Sequence, residues 1–154
     1  MSDAPHIMIV EARFYEDIAD EMLKGALAAV KAAGATYEKF SVPGAFEVPA
    51  AVQFAVQGQK LDPTRKKFDG YVGLGCVIRG ETTHYDYVCT ESARGLQDLA
   101  LRHNIAIGYG ILTVENEAQA WARARVSEGD KGGTVTRACL DMIKMKRHFG
   151  LPAL

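Results

Sequence analysis

The pattern of hydrophobic and polar positions divides the chain into alternating strands and helices. Short segments bounded by turn residues predict strands at 6–10, 36–42, 70–78 and 105–114, of which the third, GYVGLGCVI, is the most apolar. Segments with helical spacing follow each strand, and a second helix follows the fourth strand. These helices are predicted at residues 18–33, 46–57, 85–103, 117–125 and 134–148.

Two helices have a predicted buried face. In the first, four apolar residues recur at every fourth position with charges between them: Ile18, Met22, Ala26 and Val30. Gly34 is placed to end this helix. In the last helix, Ala138, Met142 and Met145 are predicted to point inward.

Strands that alternate with helices predict β-α-β units and a parallel sheet. Strands this apolar are normally covered on both faces. The expected fold is therefore α/β: a three-layer sandwich around a four-stranded parallel sheet, flavodoxin-like in outline. The length of 154 residues fits one domain spanning 1–154.

Composition narrows the class of function. Hydrophobic residues make up 48% and charged residues 24%, which is typical of globular proteins. The net charge of -1 does not favour nucleic acid as a partner, because such binding needs a strongly basic surface. No apolar run approaches the ~20 residues of a membrane helix. No membrane partner is expected.

The chain is expected to be cytoplasmic. Its start, MSDAPH, has no apolar segment of the kind found in secretory signals. The three cysteines, Cys76, Cys89 and Cys139, lack C-x-x-C spacing, which argues against a disulfide framework and against zinc. Reduced, mostly buried thiols are expected instead.

Ligands of open α/β sheets bind beyond the carboxyl ends of the strands. Each predicted strand here is followed by polar or aromatic residues that the strand itself does not need. These segments are EARFY (11–15), PGAFE (43–47), RGETTH (79–84, below the RGETTH turn) and TVEN (113–116). Their convergence predicts a site at this edge of the sheet.

The RGETTH turn favours an anion. Gly80 allows close approach of the backbone, and the helix that follows offers free N–H groups and a partial positive charge. Thr82 or Thr83 could equally serve as a helix cap, so both interpretations stay open. The segment GCVIRGET resembles a phosphate-binding loop of nucleotide hydrolases, but Glu81 stands where that loop requires lysine.

His84 is the strongest candidate for proton transfer, because histidine exchanges protons near neutral pH. Phe14 could stack on a flat ring or belong to the core. Glu47 could accept hydrogen bonds from a ligand or merely favour a helix start. Arg123 and Lys131 could pair with phosphate or be solvated surface charges. Pairs of glycines at 73 and 75 and at 108 and 110 lack the third glycine of a dinucleotide-binding loop.

Five segments together resemble the lumazine synthase family. They are EARFYED, VPGAFEVPAA, GCVIRGETTHYDYV, GILTVENEAQAWARA and DKGG, in the family's order over about residues 7–148. The resemblance implies condensation of 5-amino-6-(D-ribitylamino)uracil with 3,4-dihydroxy-2-butanone 4-phosphate. The products would be 6,7-dimethyl-8-ribityllumazine, phosphate and water, formed without a metal or redox cofactor.

The resemblance also implies roles for individual residues. Phe14 would stack on the pyrimidine, and His84 would donate and accept protons. Residues that would line the ring and the ribityl chain, or contact the uracil through their backbone, are Ala45, Phe46, Glu47, Cys76, Val77 and Ile78. Residues that would hold or support the phosphate are Glu81, Thr82, Arg123 and Lys131. Tyr109, where the family often has phenylalanine, would contact the ring.

In the family the site lies between subunits, so Tyr109, Arg123 and Lys131 are expected to serve a neighbour's pocket. The stretch ARVSEGDKGG differs from the form found in shell-forming members. A homopentamer is therefore predicted, with a decamer or an icosahedral shell left open.

Two other functions remain open. One is an archaeal-type riboflavin synthase, which would form riboflavin from the lumazine alone. The other is a flavin- or lumazine-binding scaffold, which would bind flavin without releasing phosphate from the two substrates.

Overall fold

The computed structural model describes residues 4–154. Residues 1–3, at the start of the MSDAPH segment, lie outside the described part. The elements in chain order are β1 (His6–Ala12), α1 (Glu16–Ala32), β2 (Thr36–Val42), a 3-10 turn (Ala45–Glu47), α2 (Val48–Leu61), β3 (Gly70–Ile78), α3 (His84–His103), β4 (Ala106–Val114), α4 (Glu117–Ala124) and α5 (Lys131–His148).

The strands form one parallel sheet in the order β2-β1-β3-β4. Helices cover both faces, because successive residues of each central strand point to opposite faces and both sets are largely apolar. Ile7 and Ile9 of β1 pack with α1 and α5, whereas Met8 and Val10 pack with α2 and α3. The predicted α/β sandwich, flavodoxin-like in outline, is confirmed.

The first helix follows its predicted pattern. Its four predicted inward residues are buried: Ile18, Met22, Ala26 and Val30. The helix ends at Ala32, and Gly34 follows with a φ of 67°. That left-handed conformation is the one in which glycine ends helices at lowest cost.

Strand β1 is longer than predicted. Its pairing with β2 continues through Glu11 and Ala12, which lie opposite Ser41 and Val42. The hydrophobic pattern stops at Val10 because Glu11 is charged. Glu11 is nevertheless only 1% exposed, and it is paired with Arg13 and Lys39.

Helix α2 also extends beyond its predicted end at residue 57. Gln59, expected in a loop, is buried, and its side-chain amide donates to the Ala55 carbonyl at 2.9 Å and to the Tyr71 hydroxyl at 2.8 Å. These bonds satisfy a polar group inside the apolar layer. Pro49 lies in the first turn, where its missing N–H has no cost.

The inward face predicted for the last helix is wrong. Met142 and Met145 are 47% and 53% exposed, and Ala138 is also exposed. The buried residues of α5 are Gly132, Gly133, Val135, Thr136, Cys139, Leu140 and Ile143. The helix begins at Lys131, three residues earlier than predicted, and Gly132 lies directly against the backbone of Met22 in α1. This close contact sets the rotation of α5.

Within residues 4–154, none of the helices combines the length and the apolar character needed to cross a bilayer.

Replacement of Gly132 tests the contact between α1 and α5. A Cβ at Gly132 would overlap the Met22 carbonyl oxygen. Gly132→Ala is expected to lower the free energy of unfolding by about 1–3 kcal/mol or more. Urea denaturation at one fixed protein concentration measures the change.

Gly58→Ala is the matched control, because Gly58 also lies in a helix and has open space where a Cβ would be. It is expected to raise the free energy of unfolding by about 0.5–1 kcal/mol. Equal effects of the two substitutions would contradict the close-contact explanation.

Candidate active site

The carboxyl ends of the four strands lie at one edge of the sheet, because all pairings are parallel. Ala12 pairs with Val42, and Ile78 pairs with Val114. The Arg79 N–H donates to the Val114 carbonyl at 3.0 Å, so the last two strands end together. The segments that follow the strands are thereby brought to the same side of the molecule.

A cavity of about 460 Å³ lies at this edge, and we call it the strand-end cleft. It is lined by Phe14, Tyr15, Pro43, Gly44, Ala45, Phe46, Glu47, Cys76, Val77, Ile78, His84 and Val88. Its volume is within the range of small-molecule sites.

A larger groove of about 850 Å³ runs between α1 and α5. Its lining combines small residues of α1, such as Ala29, with charged residues of α5, such as Lys144. It includes none of the residues that line the strand-end cleft. We favour the smaller cleft as the site, because ligands of parallel sheets bind at the carboxyl edge.

Aromatic rings make up much of the wall of the strand-end cleft. Phe14 is 73% exposed and Phe46 is 58% exposed, so both rings are available to a ligand. The Phe14 and Tyr15 ring centroids are 5.0 Å apart in an edge-to-face arrangement. Such surfaces suit a flat heteroaromatic ring.

The RGETTH turn forms the polar side of the cleft. His84 is exposed, is the first residue of α3, and lines the cleft. Thr83 is the cap residue of α3, but its side chain makes no capping hydrogen bond. The Thr82 hydroxyl accepts a hydrogen bond of 3.3 Å from the His84 N–H. The helix start therefore has little side-chain capping, and its partial positive charge faces outward.

Arg79 connects the RGETTH turn to neighbouring side chains. Its guanidinium donates to Glu115 at 2.8 Å and to Asp86 at 3.4 Å, and it lies 4.3 Å from the centre of the Tyr85 ring. The carboxylates, Glu115 first, raise the pKa of Arg79. The turn is thereby tied both to the end of β4 and to the first turn of α3.

Most of the predicted site residues meet in this cleft. Those that line it are Phe14, Ala45, Phe46, Glu47, Cys76, Val77, Ile78 and His84. Glu81 and Thr82 are exposed in the adjoining turn and do not themselves line the cavity.

Tyr109, Arg123 and Lys131 lie elsewhere on the chain. Tyr109 is half-buried in β4, beside Ser92 of α3, where burial raises its pKa. Arg123 is exposed on α4, and its guanidinium donates to the Gln119 carbonyl at 3.1 Å. Lys131 is exposed at the start of α5. None of them reaches the strand-end cleft of its own chain.

Four lining residues were not among the predicted site residues: Tyr15, Pro43, Gly44 and Val88. Tyr15 and the Pro43-Gly44 pair fall inside the strand-end segments, so their position was a usable signal. Val88 is one helical turn after His84, and it therefore lies on the same face of α3.

Burial keeps two groups in the cleft neutral. It raises the pKa of the Cys76 thiol to about 11. It also raises the pKa of Tyr15, with smaller contributions from Cys76 and Glu117. Across residues 4–154, no cluster of at least three histidine, cysteine or acidic side chains is arranged to hold a metal ion.

Comparison with known proteins identifies relatives along nearly the whole chain. The sequence model of the family described as 6,7-dimethyl-8-ribityllumazine synthase matches residues 4–147. A protein of Rhizobium meliloti named 6,7-dimethyl-8-ribityllumazine synthase 1 is 59% identical over 145 residues, covering 94% of both chains.

Two further relatives carry the name 6,7-dimethyl-8-ribityllumazine synthase. The protein of Agrobacterium fabrum is 56% identical over 146 residues, covering 95% of this chain and 97% of its own. The protein of Bartonella tribocorum is 52% identical over 150 residues, covering 97% and 95%.

The raised pKa of Cys76 predicts slow alkylation. With a pKa of about 11, only about one Cys76 in a thousand is a thiolate at pH 8. Iodoacetamide should therefore modify Cys76 far more slowly than it modifies free N-acetylcysteine. The rate should rise about tenfold per pH unit until the pH approaches the pKa.

Peptide mass spectrometry measures this rate separately for each cysteine. Cys139, which is fully buried and whose pKa burial raises to about 12, is the internal reference and should react more slowly still. Alkylation of Cys76 at the rate of the free thiol would contradict the assigned environment.

Proposed function

The chain belongs to the 6,7-dimethyl-8-ribityllumazine synthase family, and we propose that the strand-end cleft with the RGETTH turn is its active site. The enzyme condenses 5-amino-6-(D-ribitylamino)uracil with 3,4-dihydroxy-2-butanone 4-phosphate in riboflavin biosynthesis. One observation carries the proposed site: aromatic rings, a carboxylate and a histidine line one cavity beside an open helix start.

The pyrimidine binds in the aromatic part of the cleft. Phe14 stacks on the ring, and the end of β3, with Cys76, Val77 and Ile78, offers backbone groups to the uracil. The exposed positions of Phe14 and Glu47 support this assignment, because both are open to a ligand. Glu47 accepts hydrogen bonds from ribityl hydroxyls, beside Ala45 and Phe46.

The phosphate of the second substrate binds at the RGETTH turn. Backbone N–H groups near Glu81 and Thr82 donate to its oxygens. The start of α3 supports this role, because Thr83 does not cap it and a helix start favours an anion.

His84 moves protons during the reaction. The arylamine of the pyrimidine attacks the ketone, and loss of water gives an imine. Phosphate is then eliminated, and closure of the second ring loses another water. Each step needs a proton donor or acceptor next to both substrates. The position of His84 between the aromatic part of the cleft and the turn supports this role.

The complete site includes a neighbouring subunit. Tyr109, Arg123 and Lys131 lie outside the cleft of their own chain, and Arg123 and Lys131 are exposed. We infer that they complete the cleft of an adjacent copy, with Tyr109 on the ring and both cations at the phosphate. A head-to-tail contact of this kind generates a ring where the rotation between copies closes, and the ring that we propose is a homopentamer.

The proposed compartment is the cytoplasm, and the proposed organisation is a single domain over residues 1–154. Cys76, Cys89 and Cys139 are free thiols, which suits a reducing compartment.

Replacement of His84 tests its role in proton transfer. His84→Gln keeps a polar side chain but removes the titrating ring. Turnover is expected to fall by about 100- to 10,000-fold, with the oligomeric state unchanged. Steady-state kinetics with both substrates and light scattering provide the two measurements.

His148→Gln is the control, because His148 is exposed at the end of α5 and does not line the cleft. Its turnover should equal that of the wild type. Unchanged turnover in His84→Gln would remove His84 from the mechanism.

Mixed oligomers test whether the site is shared. His84→Ala and Arg123→Ala are each expected to be impaired when pure, the latter through a raised KM for the butanone phosphate. If the two residues act on one site from different chains, an equal random mixture contains about a quarter of intact sites. Coexpression of differently tagged variants, followed by purification on both tags, gives the sample to be assayed.

The double variant His84→Ala/Arg123→Ala coexpressed with wild type is the control for subunit exchange. Activity of the mixed sample no higher than the mean of the two pure variants would place His84 and Arg123 in the same chain's site.

A further inference from the structure

Phe14 and Tyr15 lie in the connection between β1 and α1, which consists of residues 13–15. Phe14 is 73% exposed, and the ring that it contacts is Tyr15. Packing against the core therefore does little to orient Phe14. The direction of its side chain depends on how the backbone of this short connection is held.

Arg13 holds that connection at both ends. Its Nη1 donates to Oε1 of Glu11 on β1 at 2.6 Å, and its Nε donates to Oε2 of Glu16 on α1 at 2.9 Å. Its Nη2 donates to Asp20, one turn further along α1. The planar guanidinium thus links the end of β1 to the first two turns of α1.

Glu11 anchors this link in the buried part of the chain. It is 1% exposed and follows Ile7 and Ile9 on the face of β1 that packs against α1. Lys39 of β2 lies 3.2 Å from its second carboxylate oxygen. A buried carboxylate that loses its partner is strongly destabilising, so the ion pair of Glu11 with Arg13 is favoured in the folded chain. The helix start adds little, because its cap residue Tyr15 makes no side-chain capping bond.

We propose that Arg13, held on the buried Glu11, is a positioning residue that sets the orientation of Phe14 for stacking on the pyrimidine substrate. This inference rests on the proposed function, and specifically on Phe14 as a wall of the ring site. Arg13 does not line the strand-end cleft, so it acts through Phe14. Its loss should weaken binding of the ring and leave the phosphate end largely unaffected.

Arg13→Gln tests this separation. The KM for the pyrimidine and the dissociation constant of the lumazine product should rise about tenfold, whereas the KM for the butanone phosphate should change less than about twofold. Arg13→Lys should recover part of the loss, because it restores the charge to Glu11 but cannot reach all three carboxylates at once. Glu11→Gln, which keeps the shape of the buried side chain, should resemble Arg13→Gln.

Arg94→Gln is the matched control. Arg94 also pairs with more than one carboxylate, Glu91 and Asp98, but all of these residues lie on α3. Its kinetic constants should equal those of the wild type. Thermal unfolding of every variant shows that the assays are made on folded protein, and calorimetry of the lumazine product gives affinity independently of turnover.

A double-mutant cycle with Phe14→Ala separates positioning from general stability. If Arg13 acts through Phe14, Arg13→Gln should raise the pyrimidine KM less than about twofold further when Phe14 is already alanine. The proposal would be overturned if the effects of Arg13→Gln and Phe14→Ala on the pyrimidine KM multiplied fully in the double variant. It would also be overturned if Arg13→Gln raised the KM values for the pyrimidine and the butanone phosphate equally. A wild-type pyrimidine KM in Arg13→Gln would likewise overturn it.

The cycle also distinguishes failure of the proposed ring site from failure of the proposed role of Arg13. If Phe14→Ala leaves both the pyrimidine KM and the product affinity unchanged, the proposed ring site is wrong and the role of Arg13 falls with it. If Phe14→Ala weakens both and Arg13→Gln weakens neither, only the role of Arg13 is wrong.

Discussion

Strand β3 must be covered on both faces, and the rest of the structure depends on this requirement. Its nine residues, GYVGLGCVI, carry no charge, and its first six positions are buried. Val72 and Leu74 need α1 and α5 on one side, whereas Tyr71 needs α2 and α3 on the other. Helical crossovers on both faces satisfy that need, and such crossovers join parallel strands. The polar segments after the strands must then meet at one edge.

This dependence explains which parts of the fold were predictable. Strands β2 and β3 begin and end where the pattern predicts, because turn residues bound them, and helix α3 ends where predicted, at His103. The prediction ended β1 one residue before Glu11, because the hydrophobic pattern does not indicate that Arg13 and Lys39 pair with this buried carboxylate. The rotation of α5 depends on a contact between Gly132 and Met22, 110 residues apart in sequence, which periodicity does not encode.

The candidate site divides in the same way. Phe14, Glu47 and His84 each lie in a segment that follows a strand end, so the parallel order was sufficient to bring them to one cleft. Tyr109, Arg123 and Lys131 do not follow this rule. Arg123 and Lys131 were candidates only as cations that could pair with phosphate, and the resemblance to a family associated all three residues with the site. A position that depends on another copy of the chain leaves no trace in the hydrophobic pattern of one copy.

The exposure of the cleft agrees with a site completed from outside. Phe14 and Phe46 leave more than half of their side chains in water, at 73% and 58% exposure. Stacking of a flat partner on such exposed rings lowers the free energy, because it removes apolar surface from water. The condensation also requires two reactants held in one orientation, an effect that can lower a barrier by about 7–11 kcal/mol. On the proposed assembly, the neighbour's Tyr109 and cations supply the missing wall of the cleft.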